Sequence, residues 1–158
     1  MSARVIDNYK ELARRLATKR KGLSLALTNG CFDLIHVGHI RLIQDAAAQG
    51  DLLVVALNSD ESIRRNKGPK RPLVPLAERM EVIASIRGVD WVTSFDEPTA
   101  DGLLEALRPE VHCKGTDWTV ATVPERAVVE AYGGRIAICG DRKTHSSSQL
   151  ARRLAPPD

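Results

Sequence analysis

The sequence predicts a single α/β domain in which a parallel sheet of about five strands is covered by helices on both faces. Three observations carry this prediction. Short apolar runs alternate with segments of helical periodicity along most of the chain. The runs are nearly continuous in Val, Leu, Ile and Ala, as strands buried on both faces require. The length of 158 residues with 43% hydrophobic content allows one substantial core and not two.

Tyr9, Leu12 and Leu16 recur at helical spacing in a charged stretch, so residues 1–22 read as an N-terminal helix laid on the domain and ending near Gly22. Residues 23–154 form the domain proper, and residues 155–158, Ala-Pro-Pro-Asp, read as a disordered tail. Leu23 to Thr28 is an apolar run followed by Asn29-Gly30, a buried strand feeding a tight turn. Val37 to Ala48 carries Ile40, Ile43 and Ala47 on one face and stops at Gly50, which predicts a helix closed by a C-terminal glycine. Asp51 to Leu57 is the next buried strand and completes a right-handed βαβ unit. The basic run Arg64-Arg65-Asn66-Lys67-Gly68-Pro69-Lys70-Arg71 has Gly and Pro but no helical apolar stripe, so it reads as a loop suited to a mobile lid. Pro75 opens a helix bearing Leu76, Met80, Ile83 and Ile86. Trp91 to Phe95 is a strand, Ala100 to Leu107 a helix, and Val111 to Lys114 and Arg135 to Cys139 are strands flanking a helix from Glu125 to Tyr132.

A net charge of +3 and a pI near 8.9 suit a small anionic ligand. They fall short of the concentrated basic face of a nucleic-acid binder, and no aromatics interleave with the basic run, so no nucleic-acid partner is expected. Cys31, Cys113 and Cys139 form no CxxC pair, and their odd number argues against a disulfide framework. The N-terminal residues lack the apolar core of a signal peptide and no run reaches membrane-spanning length. A cytoplasmic protein with no membrane partner is the expectation.

In a parallel sheet ligands lie beyond the carboxyl ends of the strands, at the switch point. The loops after Thr28, Leu57, Phe95, Lys114 and Cys139 should therefore line the site. No Gly-x-Gly-x-x-Gly comes after the first strand and no Gly-x4-Gly-Lys-[Ser/Thr] occurs, so a dinucleotide enzyme or a P-loop NTPase is not expected. The first strand runs instead into Asn29-Gly30-Cys31-Phe32-Asp33-Leu34-Ile35-His36-Val37-Gly38-His39. His36 and His39 stand three apart at a helix start, where free N–H groups and the positive dipole end attract phosphate, and each imidazole can donate to an α- or β-phosphate oxygen. Gly38 is expected to leave room for the nucleotide, and Gly30 to permit the turn. His-x-x-His has no third ligand nearby, so no metal site is expected in the protein.

The His-x-Gly-His motif after a strand and Gly-x-Phe-Asp resembles the cytidylyltransferase-like nucleotidyltransferases, a Rossmann-like superfamily that uses Mg²⁺ with an NTP. Asn58-Ser59-Asp60, Lys67-Gly68, Arg71-Pro72, Pro75, Arg79-Met80, Val89-Asp90-Trp91-Val92 and Lys114-Gly115-Thr116-Asp117 further resemble the adenylyltransferase half of bacterial ADP-heptose synthases. The resemblance runs from about Leu25 to Arg153. It implies transfer of AMP from ATP to D-glycero-β-D-manno-heptose 1-phosphate, with pyrophosphate released. A cytidylyltransferase acting on glycerol 3-phosphate is the alternative, and a nucleotide-binding module without turnover a third.

The resemblance implies nucleotide contacts from Asn29, Gly30, Cys31, Phe32, His36, Gly38, His39, Lys114, Gly115, Asp117 and Ser146 to Ser148, the serines also capping a last helix from Ser147 to Leu154. Substrate contacts fall to Asp33, Asn58, Asp60, Lys67, Arg71 and Arg79, with Asp33 alternatively a loop organiser. His36, His39, Lys67 and Lys114 are the expected catalytic residues. A homodimer is implied, and a separate sugar kinase, since the usual bifunctional enzymes carry a kinase domain in front. Three departures stand out: Cys31 replaces the Thr of glycerol-3-phosphate enzymes, Thr144-His145-Ser146-Ser147-Ser148 replaces Gly-x-Ser-Thr-Thr, and Lys114-Gly115-Thr116-Asp117-Trp118 replaces Lys-Gly-Gly-Asp-Tyr.

Overall fold

A computed structural model describes residues 3–142 and 146–154; the expected tail 155–158 and the residues Thr144 and His145 lie outside them. The order of elements is β1 (Arg4–Val5), α1 (Tyr9–Lys19), β2 (Leu25–Gly30), α2 (Val37–Ala47), β3 (Leu52–Asn58), α3 (Asp60–Lys67), α4 (Leu76–Ala84), β4 (Trp91–Phe95), α5 (Asp101–Leu107), β5 (Val111–Gly115), α6 (Arg126–Ala131), β6 (Arg135–Cys139) and α7 (Ser147–Leu154). The six strands form one sheet in the order β1-β4-β3-β2-β5-β6, and every pairing is parallel. This is the expected Rossmann-like arrangement with one strand more than the sequence predicts. Among the described residues no helix is long and apolar enough to cross a membrane.

The alternation of side chains along each strand divides the core into two layers. Ala26, Leu53, Val55, Leu57, Val92 and Cys113 pack under Ile43 and Ala46 of α2 and Met80 and Ile83 of α4. Leu25, Leu27, Val54, Ala56 and Trp91 pack on the other side under Leu12 and Leu16 of α1 and Leu103, Leu104 and Leu107 of α5. Each fully buried Leu or Ile contributes roughly 1.5–3 kcal/mol over leaving it in water, less the entropy of ordering it. The central strands are thereby held rigid, and their carboxyl ends become fixed mounting points.

Two local expectations are corrected. Gly50 does not close α2, which ends at Ala47 with Ala48 as its cap. Gly50 is there because a Cβ would sit 2.9 Å from the Ala26 amide nitrogen, where the chain passes close to β2. The basic run is no uniform loop: Arg64, Arg65 and Lys67 are the last turn of α3, which Ser59 caps by accepting from the Ser62 N–H. The helix lacks an apolar stripe because only Ser62 and Ile63 of its eight residues are buried. The segment read as a lid is therefore half helix, anchored by Arg65 to Asp96 after β4.

Candidate active site

The chain leaves β2 toward β3 on one side of the sheet and returns through β5 on the other, so the switch point lies between β2 and β5. A cleft of about 190 Å³ opens there. Its walls are Asn29 to Phe32 at the end of β2 and beyond, Val37 to Leu42 of α2 except Ile40, Gly115 to Asp117 at the end of β5 and beyond, and Cys139 to Asp141 at the end of β6 and beyond. The cleft thus gathers Asn29, Gly30, Cys31, Phe32, Gly38, His39, Gly115 and Asp117 of the residues that the sequence points to.

His36 is the N-cap of α2, and its Nδ1 accepts from the Gly38 N–H at 3.2 Å. His39 completes a capping box by accepting the His36 N–H on its own Nδ1 at 3.3 Å. Both Nδ1 atoms are acceptors, so the hydrogen of each neutral ring resides on Nε2. The rings lie with centroids 4.0 Å apart, and the Phe32 ring meets His39 edge-on at 5.5 Å. Gly38 lines the cleft, and this packing also favours glycine there: a Cβ would lie 2.9 Å from His36 Cε1. Gly30 does not make the turn. Phe32 does so, with φ of 49° in the left-handed region, while a Cβ on Gly30 would come within 3.3 Å of the Phe32 ring.

The rest of the loop is held from below. The Asp33 carboxylate accepts from Arg71 Nε at 2.6 Å and from the N–H groups of Leu73 and Val74. Burial pushes its pKa up, but those N–H donors and the Arg71 charge outweigh burial and hold it below the usual carboxylate range. Asp33 thus acts as a loop organiser, its side chain buried and outside the cleft lining. Arg79 is also an organiser, which corrects its expected substrate contact. Its side chain is 0% exposed, and its guanidinium donates to the carbonyls of Val74, Cys31 and Asn58 and to Asp60 Oδ1 at 2.6 Å. Asp60 thus pairs with Arg79 through Oδ1, while Asn58 bonds Ser62 Oγ and the Cys31 thiol.

Two expected cations are not brought to the cleft. Lys114 projects to the sheet face opposite Cys113, where its Nζ lies 3.4 Å from Glu125 Oε1 and over the Trp118 ring. Lys67 is exposed on α3. Ser146 caps α7 by accepting the Gln149 N–H, and Ser147 Oγ donates to the Leu34 carbonyl, which ties α7 to the histidine loop. Sequence reasoning missed Arg41, Thr116 and Asp141. Arg41 of α2 pairs with Asp141, whose carbonyl accepts from Thr116 Oγ1 at 2.8 Å, so these residues join three walls of the cleft. For Arg41 and Asp141 the only sequence signal is position, one turn into the helix or just past a strand end, whereas Thr116 lies inside the Lys114-Gly115-Thr116-Asp117 motif.

The model of one family, described as cytidylyltransferase-like, matches residues 27–154. The chain belongs to the cytidylyltransferase-like family. It is a nucleotidyltransferase by that membership, as the histidine motif implied. Relatives named bifunctional protein HldE include those of Geotalea uraniireducens, 52% identical over 134 residues, and Geobacter sulfurreducens, 46% identical over 150 residues. The alignments take in 84% and 94% of this chain but 27% and 31% of those proteins, so the chain spans less than a third of their length. Among solved structures, a lipopolysaccharide core biosynthesis protein from Thermoplasma volcanium superposes with a TM-score of 0.66 at 24% identity, over 77% of this chain and all of that one. Pantoate-beta-alanine ligase from Francisella tularensis gives 0.63 at 14% identity, over 95% of this chain and 73% of that chain. These two likenesses show the fold.

Proposed function

We propose that the chain is an adenylyltransferase that joins AMP from ATP to D-glycero-β-D-manno-heptose 1-phosphate, giving ADP-heptose and pyrophosphate. The observation that carries this reading is the capping box of His36 and His39 at the start of α2, of which His39 lines the cleft at the switch point. The HldE relatives favour the adenylyl reading over the glycerol-3-phosphate alternative.

The nucleophile is an oxygen of the sugar phosphate, already largely dianionic at neutral pH because its second pKa lies near 6, so no strong general base is needed. Its attack on the α-phosphorus forms one P–O bond as the bond to the β-phosphate bridge breaks, and pyrophosphate leaves with the electron pair. The residues' task is to hold two polyanions in line and to stabilise the developing charge. His36 and His39 do this at the transferring phosphate, with the N–H groups at the starts of α2 and α7 and the side chains of Ser146 to Ser148 on the triphosphate. Arg71 serves the sugar phosphate: its Nη2 is buried without a protein partner among the described residues, while its Nε is held by Asp33. Lys67 and Lys114 take catalytic roles by swinging in from α3 and from Glu125 as the phosphates arrive. No cluster of three His, Cys, Asp or Glu among the described residues is arranged to hold a metal. Mg²⁺ would come with the nucleotide, as MgATP, and would supply charge neutralisation on the leaving group.

A sugar kinase activity must supply the 1-phosphate, and the cytoplasm, with its ATP, is the compartment that this chemistry calls for. A homodimer is the assembly that the family resemblance implies. The test is pyrophosphate release with Mg²⁺, crossing ATP, CTP and GTP against heptose 1-phosphate and glycerol 3-phosphate. Turnover confined to ATP with heptose 1-phosphate is expected. Turnover with CTP and glycerol 3-phosphate would move the chain to the alternative, and silence in every pair would leave the binding module.

A further inference from the structure

We propose that His112, a core residue outside the motifs, is a positioning residue for the cleft: it fixes the Asn29 carboxamide so that its NH₂ group faces the nucleotide as a donor. This rests on the proposed nucleotide chemistry. His112 is fully buried in β5, and its Nε2 lies 3.0 Å from Asn29 Oδ1. In the sheet register His112 pairs with Leu27, two residues deeper than Asn29 along the strands. The Asn29 amide therefore reaches back to His112 with one end and turns its other end toward the carboxyl edge, where Asn29 lines the cleft.

The second ring nitrogen decides which end is which. His112 Nδ1 is buried with no partner among the described residues. If Asn29 donated its NH₂ to Nε2, the hydrogen of the neutral ring would sit on Nδ1, and a buried N–H would be orphaned. With the hydrogen on Nε2, only a lone pair is orphaned, the less costly case. Burial, with the nearby Lys114 charge, pushes the His112 pKa down to about 3, so the ring stays neutral across the working range of pH. Oδ1 of Asn29 is thus spent on His112, and no protein group among the described residues accepts from its Nδ2. A flipped amide would present an oxygen to a polyanion. An apolar side chain would fill this place in the sheet interior without an orphaned nitrogen, so the imidazole costs stability for which the fold has no use.

The test is calorimetric titration of MgATP into the wild type, His112→Leu, His112→Gln, Asn29→Ala and the His112→Leu/Asn29→Ala double variant. Gln places its amide N–H near the position of Nε2 and should keep affinity within about threefold of wild type, whereas His112→Leu should weaken it about tenfold. In the Asn29→Ala background, His112→Leu should have no further effect, because both changes remove the same contact. Wild-type affinity in a folded His112→Leu, or an equal loss in both backgrounds, would overturn the proposal. Should the Leu variant not fold, ¹⁵N spectra of the wild type decide it: an Nε2–H tautomer supports the proposal and an Nδ1–H tautomer or an imidazolium overturns it. A wild type that binds none of ATP, CTP, GTP and UTP would instead overturn the nucleotide reading, and this inference with it.

Discussion

Each imidazole of the histidine motif works at both ends. At Nδ1 it caps the backbone of α2, and at Nε2 it carries the donor on which the proposed chemistry depends. The two duties can be separated at His39. In His39→Asn the side-chain oxygen replaces Nδ1 as acceptor for the His36 N–H, and nothing replaces Nε2. The cap should survive, leaving the melting temperature within about 3 °C of wild type, while kcat falls about 100-fold with little change in nucleotide affinity. If kcat holds and the melting temperature drops, His39 is a cap alone. A comparable loss in affinity and kcat would make it a binding group without preference for the transition state.

At the scale of elements, the site is braced by a polar joint between the loop after β2 and the segment from Arg71 to α4. Asp33 stands at its centre and Arg79 beneath it. Removing the Asp33 charge leaves Arg71 unpaired at 12% exposure, so Asp33→Asn should cost about 3 kcal/mol at pH 7. The sign of its pH dependence is set by the lowered pKa. The stabilisation is complete above the unfolded value, about 3.9, and is lost as pH falls through the lower folded one. Urea melts should therefore show the two proteins converging as pH falls below about 3.9; a constant gap would mean that Asp33 acts through shape and not charge. This joint was only half legible in the sequence. Asp33 and Arg79 are visible there as polar residues in motif-bearing segments, but the contacts of Asp33 with Arg71 and of Arg79 with Cys31, Asn58 and Asp60 span separations that periodicity cannot report. The helix α3 was illegible for a related reason, since two buried residues in eight make no stripe.

At the scale of the whole molecule, the strands and helices that could be read from the sequence are those that fill the two core layers, because burial imposes the apolar runs. β1 could not: Arg4 and Val5 are both exposed, and the strand joins the sheet edge through backbone bonds from the Arg4 N–H to the Asp90 carbonyl and from the Ile6 N–H to the Val92 carbonyl. Alternating elements made it legible that the site lies at the carboxyl ends of parallel strands, but not the strand order. Of the five loops expected to line it, those after β2, β5 and β6 line the cleft and those after β3 and β4 do not, and the ion pair of Arg41 with Asp141 likewise depends on tertiary approach. The same division between core and edge predicts the dynamics. α7 has no buried residue, its Leu154 is 75% exposed, and the Ser147 bond to Leu34 is a side-chain tie that holds it to the domain. Its amides should exchange hydrogen through local opening at close to zero free energy, while those of β2 and β3 exchange only through global unfolding at roughly 5–15 kcal/mol. If the start of α7 closes on the triphosphate, MgATP should slow exchange over Ser147–Leu154 together with Val37–Leu42 and Gly115–Asp117. Slowing at α2 and after β5 with α7 unchanged would remove Ser146 to Ser148 from the nucleotide site. Exchange in α7 as slow as in β2 without ligand would show instead that the helix is already docked, and that capping is all its serines do.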